Sequence, residues 1–148
     1  MHDIDTINWL FGIPASVSTI ARNVIEGSGY DMVSTNYLYE DGKVINSQDD
    51  WTLNGEYGFE MSYRVNFEKG NLVYEKGVLK VNPDNDIAFI PELSKDNGYY
   101  REIKSFYQSI MDNSREKLIC PESTLQTIKI AEAESNSASN HGKFTIVK

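Results

Sequence analysis

The side chains with chemistry to offer crowd the front of the chain. Placing residues 2–11 at roughly 100° intervals around a helix sets Ile4, Ile7 and Phe11 on one side and His2, Asp5 and Trp9 on the other. An imidazole, a carboxylate and an indole therefore share one face. An unperturbed imidazole titrates near 6.5, which suits a base that takes a hydroxyl proton at neutral pH. A carboxylate three residues on accepts hydrogen bonds from hydroxyl groups. The same His-x-x-Asp pair is also the makeup of an ordinary exposed polar face, so spacing alone leaves both readings open.

Other candidates carry less. Gly27-Ser28-Gly29 begins like a dinucleotide fingerprint, but Met32 stands where its third glycine belongs and a strand follows instead of a helix, so a loop is expected. Pro83-Asp84-Asn85-Asp86 starts like a calcium loop and then breaks at Ala88, which leaves a turn. His141 stands beside Gly142 with no Cys or second His in sequence range, so no metal site is expected. Cys120 precedes Pro121 at an apparent helix start, where any small residue would serve.

The elements that must position these residues read clearly. A helix is expected over Asp3–Phe11, stopped by Gly12 and Pro14. From Ala15 to Ile90 the period becomes two, with turns at Asp41-Gly42, Lys69-Gly70-Asn71 and Pro83-Asp84-Asn85. Strands are expected over 16–23, 32–39, 43–51, 57–67, 71–81 and 87–90. The alternation is clearest where Phe59, Met61, Tyr63, Val65 and Phe67 face one way. Helices follow over Tyr99–Met111, with a stripe of Tyr99, Ile103, Phe106, Tyr107 and Ile110, and over Pro121–Ser135, with Leu125, Ile128 and Ala131 inward. A closing strand is expected over Lys143–Val147. The fold class is α+β: one open, mostly antiparallel sheet in meander order with helices packed on one face.

Bulk properties narrow the partners. Residues 1–148 suit one domain with a core of its own. The net charge of -8 repels phosphate backbones and anionic lipid heads, so neither nucleic acid nor a membrane is an expected partner. A single cysteine excludes an internal disulfide, which points to a reducing, cytoplasmic setting. The abrupt start, one residue before a helix, suggests that a further segment precedes it.

The string His2-Asp3-Ile4-Asp5-Thr6-Ile7-Asn8-Trp9-Leu10-Phe11-Gly12-Ile13-Pro14 resembles the H-x-I-D-x-x-x-W-L-x-G-x-P segment that opens the second domain of the glucose-fructose oxidoreductase, inositol dehydrogenase and rhizopine-catabolism (Gfo/Idh/MocA) family. Further likenesses follow in order. They are the strand and turn around Asn36–Val44, the strand from Phe59 to Gly70, Tyr99-x-x-Glu102-x-x-x-Phe106, and Pro121-Glu122 leading to Ile130-Ala131-Glu132-Ala133 and Ser137. Together they cover nearly the whole chain.

The resemblance implies a dihydrodipicolinate-reductase-like carboxy-terminal domain that supplies a substrate pocket and a subunit interface, while an absent Rossmann domain binds NAD or NADP. It implies a catalytic role for His2 and substrate contacts from Asp5 and, through an aromatic on the sheet, Tyr57. The substrate class would be a sugar, polyol or inositol oxidised at CH–OH, which requires removal of a hydroxyl proton as hydride leaves carbon. The family's Asp four residues before the histidine, and its Lys in the preceding domain, have no counterpart in this sequence. No cofactor is therefore expected to bind this chain alone, nor is turnover. A stand-alone ligand-binding or scaffold module of the same fold is the alternative. A homodimer or tetramer through the open sheet face is expected in either case, since a wide apolar face on a soluble domain marks a partner.

Overall fold

The computed structural model describes residues 1–112 and 121–148, so Cys120 lies outside the described residues. Within residues 1–148, read above as one domain, the chain packs as two compact units: Met1–Leu53 with Glu116–Lys148, and Asn54–Arg115.

The first unit opens with α1 (His2–Phe11), followed by β1 (Ser16–Arg22), β2 (Met32–Leu38) and β3 (Val44–Asp50). It closes with the helix Pro121–Ser139, named α3 from its place in the chain, and β7 (Thr145–Ile146). The sheet order is β3-β2-β1-β7, antiparallel throughout. Register follows the period-two pattern: Val17 pairs with Tyr37 and Tyr37 with Ile45, while Thr19 pairs with Thr35 and Thr35 with Ser47. These residues share the side on which the helices lie. Ile4 and Ile7 of α1 and Ile130 and Ala133 of α3 close over Val17 and Tyr37, forming the core of this unit. Burying each larger side chain contributes on the order of 2 kcal/mol.

The core is unusually polar at its margins. Thr19 and Thr35 share a hydroxyl hydrogen bond of 3.0 Å, and the Thr19 amide donates to Ser137 Oγ at 2.9 Å. Ser137 Oγ donates in turn to the Lys143 carbonyl at 2.7 Å, tying the end of α3 to β1 and the closing segment. The inward stripe of α3 is accordingly Thr127, Ile130, Ala133, Glu134 and Ser137. The expected stripe is corrected: Leu125 and Ile128 are exposed, because three of the buried positions are polar residues satisfied by partners that hydropathy does not reveal.

The open side of this sheet carries Ser16, Ser18, Ile20 and Arg22 on β1, with Met32, Ser34, Asn36 and Leu38 on β2 and Asn46 and Gln48 on β3. It is mixed, and Asn46 Nδ2 donates to Asn36 Oδ1 across it at 3.1 Å.

The second unit holds β4 (Tyr63–Phe67), β5 (Gly70–Glu75), β6 (Val78–Pro83) and α2 (Gly98–Met111). Its sheet order is β4-β5-β6, again antiparallel. Tyr63, Val65, Phe67, Leu72, Tyr74, Leu79 and Val81 share one apolar face, on which the Tyr63 and Tyr74 rings stack at 5.2 Å. Gly70 at the β4–β5 turn has φ 145°, and a Cβ there would run into the Asn82 carbonyl oxygen, so only glycine fits. Asn97 caps α2 by accepting from the Tyr100 amide at 2.8 Å. The stripe expected on α2 exists, but Tyr99, Ile103 and Phe106 are all exposed.

Antiparallel pairing and the helix positions match expectation, while the single continuous sheet is replaced by two. Residues 51–62 contain a single 3₁₀ turn at Gly55–Tyr57 and a positive φ at Gly58, which interrupt any ladder between β3 and β4. The strand expected over 57–67 thus begins only at Tyr63, leaving Phe59 and Met61 outside it. The strand expected over 87–90 shrinks to one bridge between Val81 and Phe89.

Candidate functional site

Helix α1 ends at Gly12, whose φ of 79° few other residues adopt and whose amide donates to the Asn8 carbonyl at 2.9 Å. Asp3 and Asp5 lie in the first turn, where a carboxylate complements the positive end of the helix dipole. With Ile4 and Ile7 inward, His2, Asp5 and Trp9 face outward, Trp9 with 76% of its surface exposed. The shared outward face expected for these three is present. No hydrogen bond engages the His2 imidazole among the described residues; its carbonyl accepts from Thr6 Oγ1 at 2.9 Å.

Both flanks of α1 are fastened by polar side chains. On the α3 side, Asn8 Nδ2 donates to Thr127 Oγ1 at 3.0 Å and to the Ser123 carbonyl at 3.1 Å. Thr127 Oγ1 donates to Asp5 Oδ1 at 2.8 Å. On the β3 side, the Asp3 carboxyl stands close enough to Asp49 to perturb it. Burial, then the hydrogen bond and charge of Asp3, push the Asp49 carboxyl up to about 6, with the amino-terminal ammonium offsetting part of this. Glu134, buried on α3, accepts from the Tyr37 hydroxyl at 2.5 Å. Burial holds Glu134 above the usual carboxylate range although that hydrogen bond pulls the other way. Burial, followed by the Glu134 charge, drives the Tyr37 phenol far upward.

His2 and Asp5 therefore share one anchored helix. Tyr57 belongs to the other unit, at the end of the 3₁₀ turn, where its hydroxyl donates to Glu60 Oε2 at 2.9 Å. Asp3, Asp49, Glu134 and Tyr37 were not singled out from sequence. The signal available was Asp49 itself, an acidic residue at an inward position of an alternating strand.

Gly27–Gly29 lies in the loop joining antiparallel strands β1 and β2. There the Asp31 carboxylate accepts from the Val24 and Ile25 amides at 2.9 and 2.6 Å and from Ser28 Oγ at 2.7 Å. Burial alone would raise Asp31, but these donors together hold it below its ordinary value. The loop is thus folded around its own anion and opens no helix, so it does not fit a dinucleotide pyrophosphate. Asp84 and Asn85 form the turn after β6. His141, with φ 59°, sits in the turn after α3. No group of three or more His, Cys, Asp or Glu is placed to hold a metal ion among the described residues. None of the described helices is long and apolar enough to cross a membrane.

No family model matches the sequence, and no curated protein matches it significantly. Solved structures do. An oxidoreductase from Thermotoga maritima superimposes over 99% of this chain with a TM-score of 0.78 and 21% identity, covering 42% of that protein. An oxidoreductase from Agrobacterium radiobacter in complex with NAD+, L-tartaric acid and magnesium does so over 99% of this chain and 47% of its own, with a TM-score of 0.78 and 17% identity. The chain shares the fold of a part of these oxidoreductases. The WlbA dehydrogenase from Bordetella pertussis, in complex with NADH and UDP-GlcNAcA, shares this fold over 99% of the chain and 43% of its own, with a TM-score of 0.74 and 17% identity. The chain spans less than half the length of each of these three oxidoreductases.

Proposed function

We propose that this chain is the substrate-binding and oligomerisation part of an NAD- or NADP-dependent oxidoreductase acting at the CH–OH group of a sugar, polyol or inositol-like substrate. The observation that carries the reading is the outward face of α1, where the His2 imidazole, engaged by no hydrogen bond among the described residues, stands three residues from a carboxylate held by α3. The fold shared with NAD+- and NADH-bound oxidoreductases supports it.

In this reading His2 accepts the hydroxyl proton of the reacting carbinol, and Asp5 accepts a hydrogen bond from another hydroxyl of the same substrate. Both tasks are positioning and proton movement, the share of such a reaction that falls to a protein. In this reading the hydride acceptor belongs to the remainder of a longer protein, in keeping with the chain spanning less than half of each matched oxidoreductase. That remainder, a Rossmann domain, is the partner α1 requires. Association into a homodimer or tetramer uses the apolar sheet face, which the stacked Tyr63 and Tyr74 help to form.

The test is turnover. The longer protein, offered a panel of aldoses, hexitols and inositols with NAD or NADP, is expected to reduce the cofactor on at least one of them. Absence of both cofactor binding and turnover across the panel would leave a stand-alone binding module instead.

A further inference from the structure

Thr127 is 2% exposed, yet its hydroxyl reaches another helix. A threonine inside a helix commonly returns its hydrogen to the carbonyl four residues back. Here that carbonyl, Ser123 O, lies at 3.3 Å, while Asp5 Oδ1 lies at 2.8 Å. A hydroxyl has one hydrogen to give, so something must decide between the two acceptors.

Asn8 supplies the decision. Its amide donates to Thr127 Oγ1 at 3.0 Å, filling a lone pair, and to Ser123 O at 3.1 Å, occupying the competing acceptor. With both positions taken from the rear, the Thr127 hydrogen points at Asp5. Asp5 itself is exposed, and its second oxygen, Oδ2, carries no hydrogen bond among the described residues. A surface carboxylate with no anchor would sample several rotamers; this one is held by a charge-assisted bond from a buried donor.

We propose that Thr127, oriented by Asn8, is the positioning residue for Asp5, and that Asp5 in consequence presents Oδ2, the oxygen that no described residue engages, to a hydroxyl of a polyol. The second clause rests on the reading of Asp5 as a substrate contact, whereas the first does not.

The two are tested separately. Three-bond couplings that report the Asp5 χ1 angle are measured by NMR on this chain as wild type, Thr127→Ser, Thr127→Val and Asn8→Ala. A single rotamer is expected in the wild type and Thr127→Ser, and averaging in Thr127→Val and in Asn8→Ala. Asn8→Ala carries the test if Thr127→Val does not fold. Wild-type couplings in a folded Thr127→Val or Asn8→Ala, or averaging already present in the wild type, would overturn the positioning role. In the longer protein, Thr127→Val is expected to raise KM for the polyol about tenfold, the loss of roughly one charge-assisted hydrogen bond, with rescue by Thr127→Ser. Removing one substrate hydroxyl should erase the effect of Asp5→Asn, and removing any other should not. If Asp5→Asn leaves KM unchanged, the substrate contact is overturned while the coupling data still decide the positioning role.

Discussion

Asp49 projects from β3 toward the helices, where the group that meets it is another acid, Asp3. Two carboxylates in such a place are stable together only while one keeps a proton. The folded state therefore binds that proton more tightly than the unfolded chain, in which an aspartate titrates near 3.8. The sign follows from linkage: the stabilisation is fully present below that unfolded value and is lost as pH rises through about 6. Glu134 shifts in the same direction. Denaturant unfolding is expected to show stability falling between about pH 4 and about pH 6. Asp49→Asn should remove about 1 kcal/mol of that fall, a figure discounted for the solvent that screens this partly exposed group. Identical pH profiles for the two proteins would contradict it. At this scale the sequence revealed the outward face of α1, because Ile4 and Ile7 fix which way His2 and Asp5 turn. It could not reveal that Asp5 is held by Thr127, since 122 residues separate them and no local pattern links a helix to a donor so distant.

Elements were legible in proportion to how far local chemistry decides them. The β1–β2–β3 meander follows alternating residues and glycine turns, and its register is the one that buries Val17, Thr19, Thr35 and Tyr37 together. The inward stripe of α3 was misread for a physical reason. Thr127, Glu134 and Ser137 are buried because Asp5, Tyr37 and Lys143 await them, so the helix face is set by hydrogen bonds as much as by oil. The segment over 57–67 alternates as a strand throughout, yet its first half lacks a ladder partner, and alternation without pairing does not make a sheet.

At the level of the molecule, the two units differ in kind. The first has a closed core of apolar residues. In the second, Phe59, Ile87 and Tyr99 remain at 84%, 84% and 79% exposure, and no described residue is fully buried. Uncovered apolar surface of this kind is what the proposed association through the sheet face would use. A mass at least twice 16.8 kDa is expected by light scattering at micromolar concentration. A monomeric mass would contradict association through the apolar sheet face.

The central claim is that the front helix presents a proton acceptor to a hydroxylated substrate held against a cofactor-bearing partner. Steady-state kinetics of His2→Asn in the longer protein test it most directly, because asparagine keeps polar bulk and loses the basic nitrogen. The account predicts a fall in kcat of about 10²- to 10⁴-fold with KM nearly unchanged. Wild-type kcat in a folded, cofactor-binding His2→Asn protein would contradict it.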